Sequence, residues 1–219
     1  MLTQKKQEFI SFMIQSNVLK FGEFITKSGR KTPYFINTGN YKTGRQFNIL
    51  GKFYAQMIKE CGCEYDALFG PAYKGIPLVT CCANALYCEY GEDKPIFFNR
   101  KEVKDHGEGG NIVGYNTKDG DRIIIVEDVI TAGTAVREVF PILKACGDIS
   151  CEDMFISVNR CEVGSNFNKT AIDEVGEEFG INVHSIVSVK DIREYLEQQG
   201  GYEKHIKEMD EYIKNYCVL

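Results

Sequence analysis

The sequence predicts an α/β protein: a central, mostly parallel sheet flanked by helices. Three observations predict it. Short apolar runs such as Ile123-Ile124-Ile125-Val126 alternate with segments of helical periodicity. These runs are apolar throughout rather than at every second residue, the pattern of strands covered on both faces. The 219 residues, 43% hydrophobic and 26% charged, suit one soluble domain. In such sheets ligands bind at the carboxyl ends of the strands, so the loops that follow the apolar runs are the places to look for chemistry.

The elements follow in order. Phe9, Phe12 and Met13 mark an opening helix. Residues 20–42 hold short extended pieces around a basic turn. Phe47, Leu50, Phe53, Tyr54, Met57 and Ile58 fall at helical spacing, and Gly62 lies just beyond. A strand at Ala67-Leu68-Phe69 leads to a helix from about Ile76 to Tyr87, then to a strand at Ile96-Phe97-Phe98. Residues 101–120 are polar and rich in Gly, which suits a mobile loop or hairpin. After the run Ile123–Val126 comes a helix carrying Val136, Val139, Phe140 and Leu143. A strand from Met154 to Val158 precedes a helix with Ile172, Val175 and Phe179. The strand Val183–Val187 leads to Asp191-Ile192-Arg193-Glu194, which has the spacing of a capping box. A last helix carries Ile206, Met209, Ile213 and Tyr216.

Composition excludes several classes. The net charge is −5, from 26 Lys and Arg against 31 Asp and Glu, which argues against a general nucleic-acid binder. The start lacks the apolar core of an export signal, and the longest uncharged stretch, Gly75–Cys88, is too short to span a bilayer. The nine cysteines include no C-x-x-C and no Cys/His set with zinc-ligand spacing. They read as free buried thiols in a reducing cytosol, so the expected location is cytoplasmic. His184, in a strand, and His205, on a late helix, read as structural.

The sharpest signal is the string from Ile123 to Ala135. A buried strand ends in two carboxylates, Glu127 and Asp128, and a turn of small and hydroxyl residues opens a helix. The turn Thr131–Ala135 offers backbone N–H groups and hydroxyls at a helix N-terminus, which suits a phosphate. The carboxylates suit sugar hydroxyls instead. An ordinary strand-to-helix loop with a capping Thr is the plainer alternative. There is no G-x-x-x-x-G-K-[ST] and no G-x-G-x-x-G, so neither a Walker-type NTPase nor a dinucleotide fold fits.

As a whole, this string resembles the phosphoribosyl-pyrophosphate (PRPP) binding motif of type I phosphoribosyltransferases. Three further segments resemble the orotate-specific branch of that family: Phe21–Asn37 its N-terminal signature, Gly70–Pro77 its pyrophosphate loop, and Asn99–Gly110 its catalytic loop. The matches span residues 21–136 in the family's order, with a weaker one around Arg160. Ile36 departs from the family's usual Phe, and Cys161 follows Arg160.

The resemblance implies a type I phosphoribosyltransferase fold occupying residues 1–219 as one domain. Residues 1–40 would contribute to a small N-terminal hood and 100–115 would form a flexible catalytic loop. It implies transfer of a phosphoribosyl group from PRPP to orotate, giving orotidine 5′-monophosphate and pyrophosphate, a step of pyrimidine (UMP) biosynthesis. It also implies Mg²⁺ held mainly through PRPP with no direct protein ligand, and a homodimer whose loop is shared between subunits. The implied PRPP site comprises Lys27, Tyr73, Lys74, Arg100, Lys101, Lys104, His106, Glu127, Asp128, Val129, Ile130, Thr131, Ala132, Gly133, Thr134 and Ala135. Lys101, Lys104, His106 and Asp128 are the implied catalytic residues. Phe35, Ile36, Thr131 and Arg160 would bind orotate, with a guanidinium suited to its carboxylate.

The cations make chemical sense for an acidic protein handling polyanions. Arg100, Lys101 and Lys104 cluster beside His106, Lys27 joins Arg30 and Lys31, and Lys74 follows a strand. They sit in loops at strand ends, where a merely solvated charged face is less expected. A PRPP-sensing regulator without catalysis and a phosphoribosyltransferase for another base are the alternatives. The retained cationic loop argues against the first and the 21–37 signature against the second. A PRPP-making kinase would need an ATP site that the sequence lacks.

Overall fold

The computed structural model describes residues 2–26, 29–102, 111–130, 133–165 and 168–218. Helix α1 (Gln4–Gln15) starts at Thr3, whose hydroxyl accepts from the Lys6 amide, and it buries Phe9, Ile10 and Met13. Strands β1 (Leu19–Ile25) and β2 (Lys31–Ile36) pair antiparallel as a separate two-stranded sheet, with a register irregularity between Phe21 and Phe24. Helix α2 (Gly44–Cys61) opens with a Thr43/Gln46 capping box and stops at Gly62, whose φ of 70° is the left-handed conformation that glycine adopts without a Cβ clash.

Strand β3 (Ala67–Phe69), helix α3 (Gly75–Tyr90) and strand β4 (Ile96–Asn99) follow, then the short strand β5 (Ile112–Gly114), antiparallel to β4. The Gly-rich segment 101–120, expected as a loop or hairpin, contains the edge strand β5, which pairs back on β4 as the second arm of a hairpin; residues 103–110 lie outside the described residues. Strand β6 (Arg122–Val126), helix α4 (Thr134–Lys144), strand β7 (Ser150–Asn159), helix α5 (Ala171–Phe179), strand β8 (Asn182–Ser188), and helices α6 (Val189–Gln199) and α7 (Glu203–Tyr216) complete the chain.

The main sheet has the order β5-β4-β3-β6-β7-β8, and all its strands but β5 are parallel. Side-chain alternation divides the core. Leu68, Ile124, Val126 and Phe155 join the core built with α1, α2, α3, α6 and α7, while Phe69, Ile125, Met154 and Ile156 face α4 and α5. Both faces are covered, which explains runs without polar alternation. The switch point lies between β3 and β6: the chain leaves β3 for β4 on one side and returns to β6 on the other.

Two readings need correction. The capping box of α6 is Ser188 with Asp191, one turn before the expected start at Asp191. Val189 and Ile192 are fully buried there, and their packing fixes where the helix begins. The cysteines are all free, as expected, but only Cys82 and Cys161 are buried; Cys88 is exposed and the other six are half-buried.

Candidate active site

The switch point brings two loops together. The first, 70–74, leaves β3 and turns tightly enough that a Cβ on Gly70 would stand 2.4 Å from the Gly75 carbonyl oxygen. No other residue permits that approach. Asn99, buried at the end of β4, accepts a hydrogen bond from the Ala72 amide at 2.8 Å and holds this loop. Tyr73 and Lys74 are thereby presented at the mouth of the cleft, and the Lys101 ammonium stands 5.6 Å over the Tyr73 ring.

The second loop carries the acidic pair. Asp128 Oδ2 accepts from Lys74 Nζ at 2.8 Å and from the Thr38 hydroxyl at 2.7 Å, while Oδ1 accepts from the Val129 amide at 2.7 Å. Its carbonyl accepts from the Ser157 hydroxyl and amide. Glu127 Oε1 accepts from the Asp128 amide, and the buried Tyr54 hydroxyl donates to the Glu127 carbonyl at 2.7 Å. Burial raises the Glu127 carboxyl, and the adjacent Asp128 charge adds to the shift, to about 8. The Lys74 side chain is 57% exposed, so its ion pair with Asp128 contributes at most about 1 kcal/mol to stability. Its value is to hold a cation over a buried carboxylate at the place where the sheet opens.

Beside the pair, a cleft of about 280 Å³ is lined by Glu127, Val129, Ile130, Gly133, Thr134 and Ala135. Helix α4 points its N-terminus into it. The helix is capped by Gly133 at φ 73° with no side-chain hydrogen bond, so the plainer expectation of a capping Thr does not hold for the described residues. The first amides of this 11-residue helix have no acceptor within the helix, which suits its N-terminus to an anion. A second cleft, of about 340 Å³ between the β1–β2 sheet and α7, is lined by Glu23, Lys31, Glu208 and Glu211 among others. Its acidic lining is unsuited to a polyanion.

Arg160 lies at the carboxyl end of β7, one strand beyond β6. Its guanidinium bonds Glu162 Oε1 through Nε at 2.8 Å and Nη2 at 2.6 Å, and stacks 5.1 Å over Tyr34 of β2. Burial pulls this guanidinium's pKa down, but Tyr34, Glu162 and Tyr212 outweigh it and hold it above the ordinary value. Glu162 also accepts from the Tyr212 hydroxyl at 2.6 Å and pairs with Arg30 at 3.5 Å. Arg160 is thus brought to the β1–β2 sheet rather than into contact with the acidic pair. Phe35, 40% exposed, stacks on Phe24, and Ile36 packs against the core. Arg100 is half-buried, and its amide bonds the Asn111 carbonyl. Lys27, Lys104, His106, Thr131 and Ala132 lie outside the described residues.

A family model for the phosphoribosyl transferase domain matches residues 37–149. The orotate phosphoribosyltransferase of Clostridium acetobutylicum is 51% identical over 224 residues, covering 99% of this chain and 100% of the relative. That of Clostridium beijerinckii is 48% identical, covering 96% and 97%. The chain belongs to the orotate phosphoribosyltransferase family. The crystal structure of the orotate phosphoribosyltransferase of Francisella tularensis superposes with a TM-score of 0.86 at 36% identity, covering 96% of this chain and 100% of that one. The type I phosphoribosyltransferase fold expected from the sequence is therefore the fold of this protein.

Within that family assignment, Thr38, Tyr54, Asn99 and Ser157 are the residues sequence reasoning missed. Each fixes a loop or a carboxylate by a side-chain hydrogen bond. Asn99 left a trace, being a polar residue that ends an apolar strand and is nonetheless buried. The others left none, because their partners lie 29 to 90 residues away.

Proposed function

We propose that this chain transfers the 5-phosphoribosyl group from PRPP to orotate, giving orotidine 5′-monophosphate and pyrophosphate in pyrimidine biosynthesis. One observation carries the reading: an acidic pair and an open helix N-terminus share one edge of the switch point, and Lys74 faces them from the other. A carboxylate pair suits ribose hydroxyls, amides at a helix end suit the 5′-phosphate, and the cationic loop suits the pyrophosphate. The orotate phosphoribosyltransferase relatives that match along the whole chain support orotate as the base.

The proposed roles are those the family resemblance implies. Glu127 and Asp128 orient the ribose, and Val129 through Ala135 line the phosphate cradle. Tyr73, Lys74, Arg100 and Lys101, with Lys104 and His106, hold the leaving pyrophosphate; Lys27 joins the phosphate ligands. Phe35, Ile36, Thr131 and Arg160 position orotate. No covalent enzyme intermediate is needed; catalysis is positioning and stabilisation of charge on the leaving group.

Mg²⁺ fits the donor set. Two carboxylates supply hard oxygens, but Asp128 Oδ2 already accepts from Lys74 and Thr38, which favours a cation held mainly by PRPP oxygens. Bound there, it would neutralise the departing pyrophosphate. A homodimer sharing the 100–110 segment is the proposed assembly, with neither nucleic acid nor membrane as partner; no helix among the described residues is long and apolar enough to cross a membrane. Nine free cysteines support a reducing, cytoplasmic setting.

The test is ultraviolet depletion of orotate on mixing protein, PRPP and Mg²⁺. Orotate-dependent turnover is expected, and Lys101→Ala lowers it by about 100-fold or more. Tight PRPP binding without orotate consumption would overturn the assignment.

A further inference from the structure

A second constellation lies away from the cleft. Cys61 ends α2, just before the left-handed Gly62. Asp153 sits in the amino-terminal half of β7 and His184 in that of β8, whereas the active site uses the carboxyl ends of the strands. His184 Nε2 stands 3.6 Å from Cys61 Sγ and 2.6 Å from Asp153 Oδ1. One ligand atom each from Cys61, Asp153 and His184 fall within 4.8 Å of one another. The His184 ring is held flat against Phe155, with centroids 4.8 Å apart and planes at 20°.

Two readings compete. A nucleophilic triad needs the carboxylate on one imidazole nitrogen and the thiol on the other. Here both meet the same nitrogen, Nε2, so no relay runs through the ring. Convergence on one point is what a cation requires. Bonds of about 2.0–2.3 Å in a tetrahedral site put ligand atoms about 3.3–3.8 Å apart, and the Cys61–His184 distance already matches. The Asp153–His184 separation has to open by less than an ångström, exchanging a hydrogen bond for two metal bonds.

We infer that Cys61, Asp153 and His184 form a three-ligand binding site for one thiophilic divalent cation, for which Zn²⁺ with a water in the fourth position is the fitting ion. A sulfur and an imidazole beside one carboxylate exclude Mg²⁺ and Ca²⁺, which demand oxygen. Binding releases the Cys61 thiol proton to solvent, while His184 takes the tautomer with its proton on Nδ1, leaving the Nε2 lone pair for the metal. The side chains of His184 and Asp153 are 31% and 14% exposed, which leaves a path of entry. The ion would clamp the end of α2 to β7 and β8. The three ligands come from three elements, so no local spacing announces them.

The test is titration of the reduced, metal-stripped full chain with Co²⁺. A sulfur-to-cobalt charge-transfer band with intense tetrahedral d–d bands is expected, saturating at one equivalent and erased by Zn²⁺. Cys61→Ser and His184→Gln each weaken binding at least about tenfold, the loss that even a supporting partner's removal causes. Cys88→Ser, at the exposed cysteine, leaves the titration unchanged. Absence of the band in the unaltered chain would overturn the inference whatever the variants do. So would a band that survives both ligand variants and disappears with Cys88→Ser.

Discussion

The Glu127 carboxyl is 7% exposed and shares its strand end with Asp128, so the ligand-free protein stores unfavourable charge there. Its titration moves up from an ordinary glutamate value to about 8. The folded chain then binds this proton across a window in which the unfolded chain has lost it. Stability from this group is present below about pH 4.5 and is lost as pH rises through about 8, at about 1.4 kcal/mol for each pH unit of displacement. Glu127→Gln removes that slope, and urea unfolding of the ligand-free protein between these limits measures it. A slope equal to that of the unaltered chain would place the shift on another group. The same variant loses an acceptor for a ribose hydroxyl, so its KM for PRPP rises. Both carboxylates were legible in the sequence because they close an uninterrupted apolar strand. The hydroxyls and amides that orient them were not, since Thr38 reaches Asp128 across 90 positions.

At the scale of elements, the start of α4 governs how closely an anion can approach. Gly133 holds φ 73°, and a Cβ there would meet Val175 Cγ2 of α5 at 2.5 Å. Gly133→Ala therefore costs left-handed strain and a clash, together about 1–3 kcal/mol by denaturant unfolding, and weakens PRPP binding. Adding Val175→Ala relieves the clash but not the backbone strain, so the double variant recovers only part of the loss. If the double variant is no more stable than the single one, the contact with α5 is not the cause. The order and type of elements were readable from periodicity, whereas their ends were set by packing. Ser188-Val189-Lys190-Asp191 and Asp191-Ile192-Arg193-Glu194 carry similar cap spacing, and the buried Val189 selects the earlier one. The Gly-rich stretch hid β5, which has only three residues and borrows its stability from β4.

At the scale of the whole molecule, an assembly that shares its cationic loop makes a sharp prediction. Mixing Lys101→Ala with Asp128→Asn subunits regenerates one intact site per mixed dimer. Two nearly inactive preparations should then recover about a quarter of full activity after subunit exchange, read by orotate depletion; the statistical share is half mixed dimers with one good site of two. No recovery would mean that the loop serves its own subunit. The sheet order was not readable from the sequence, because periodicity names strands but not their neighbours. That order also has a temporal consequence. Lys74 and Asp128 are 54 residues apart and meet only because β6 returns to pair with β3 after β4 and β5 have been laid on its other side. A nascent chain that has not yet emerged past Asp128 possesses the 70–74 loop but not the carboxylate that Lys74 pairs with. Loop closure over such a separation is slow compared with local helix formation. Substrate binding therefore reports a late event on the folding path, and PRPP acts as ligand only for chains whose sheet has already closed around its centre.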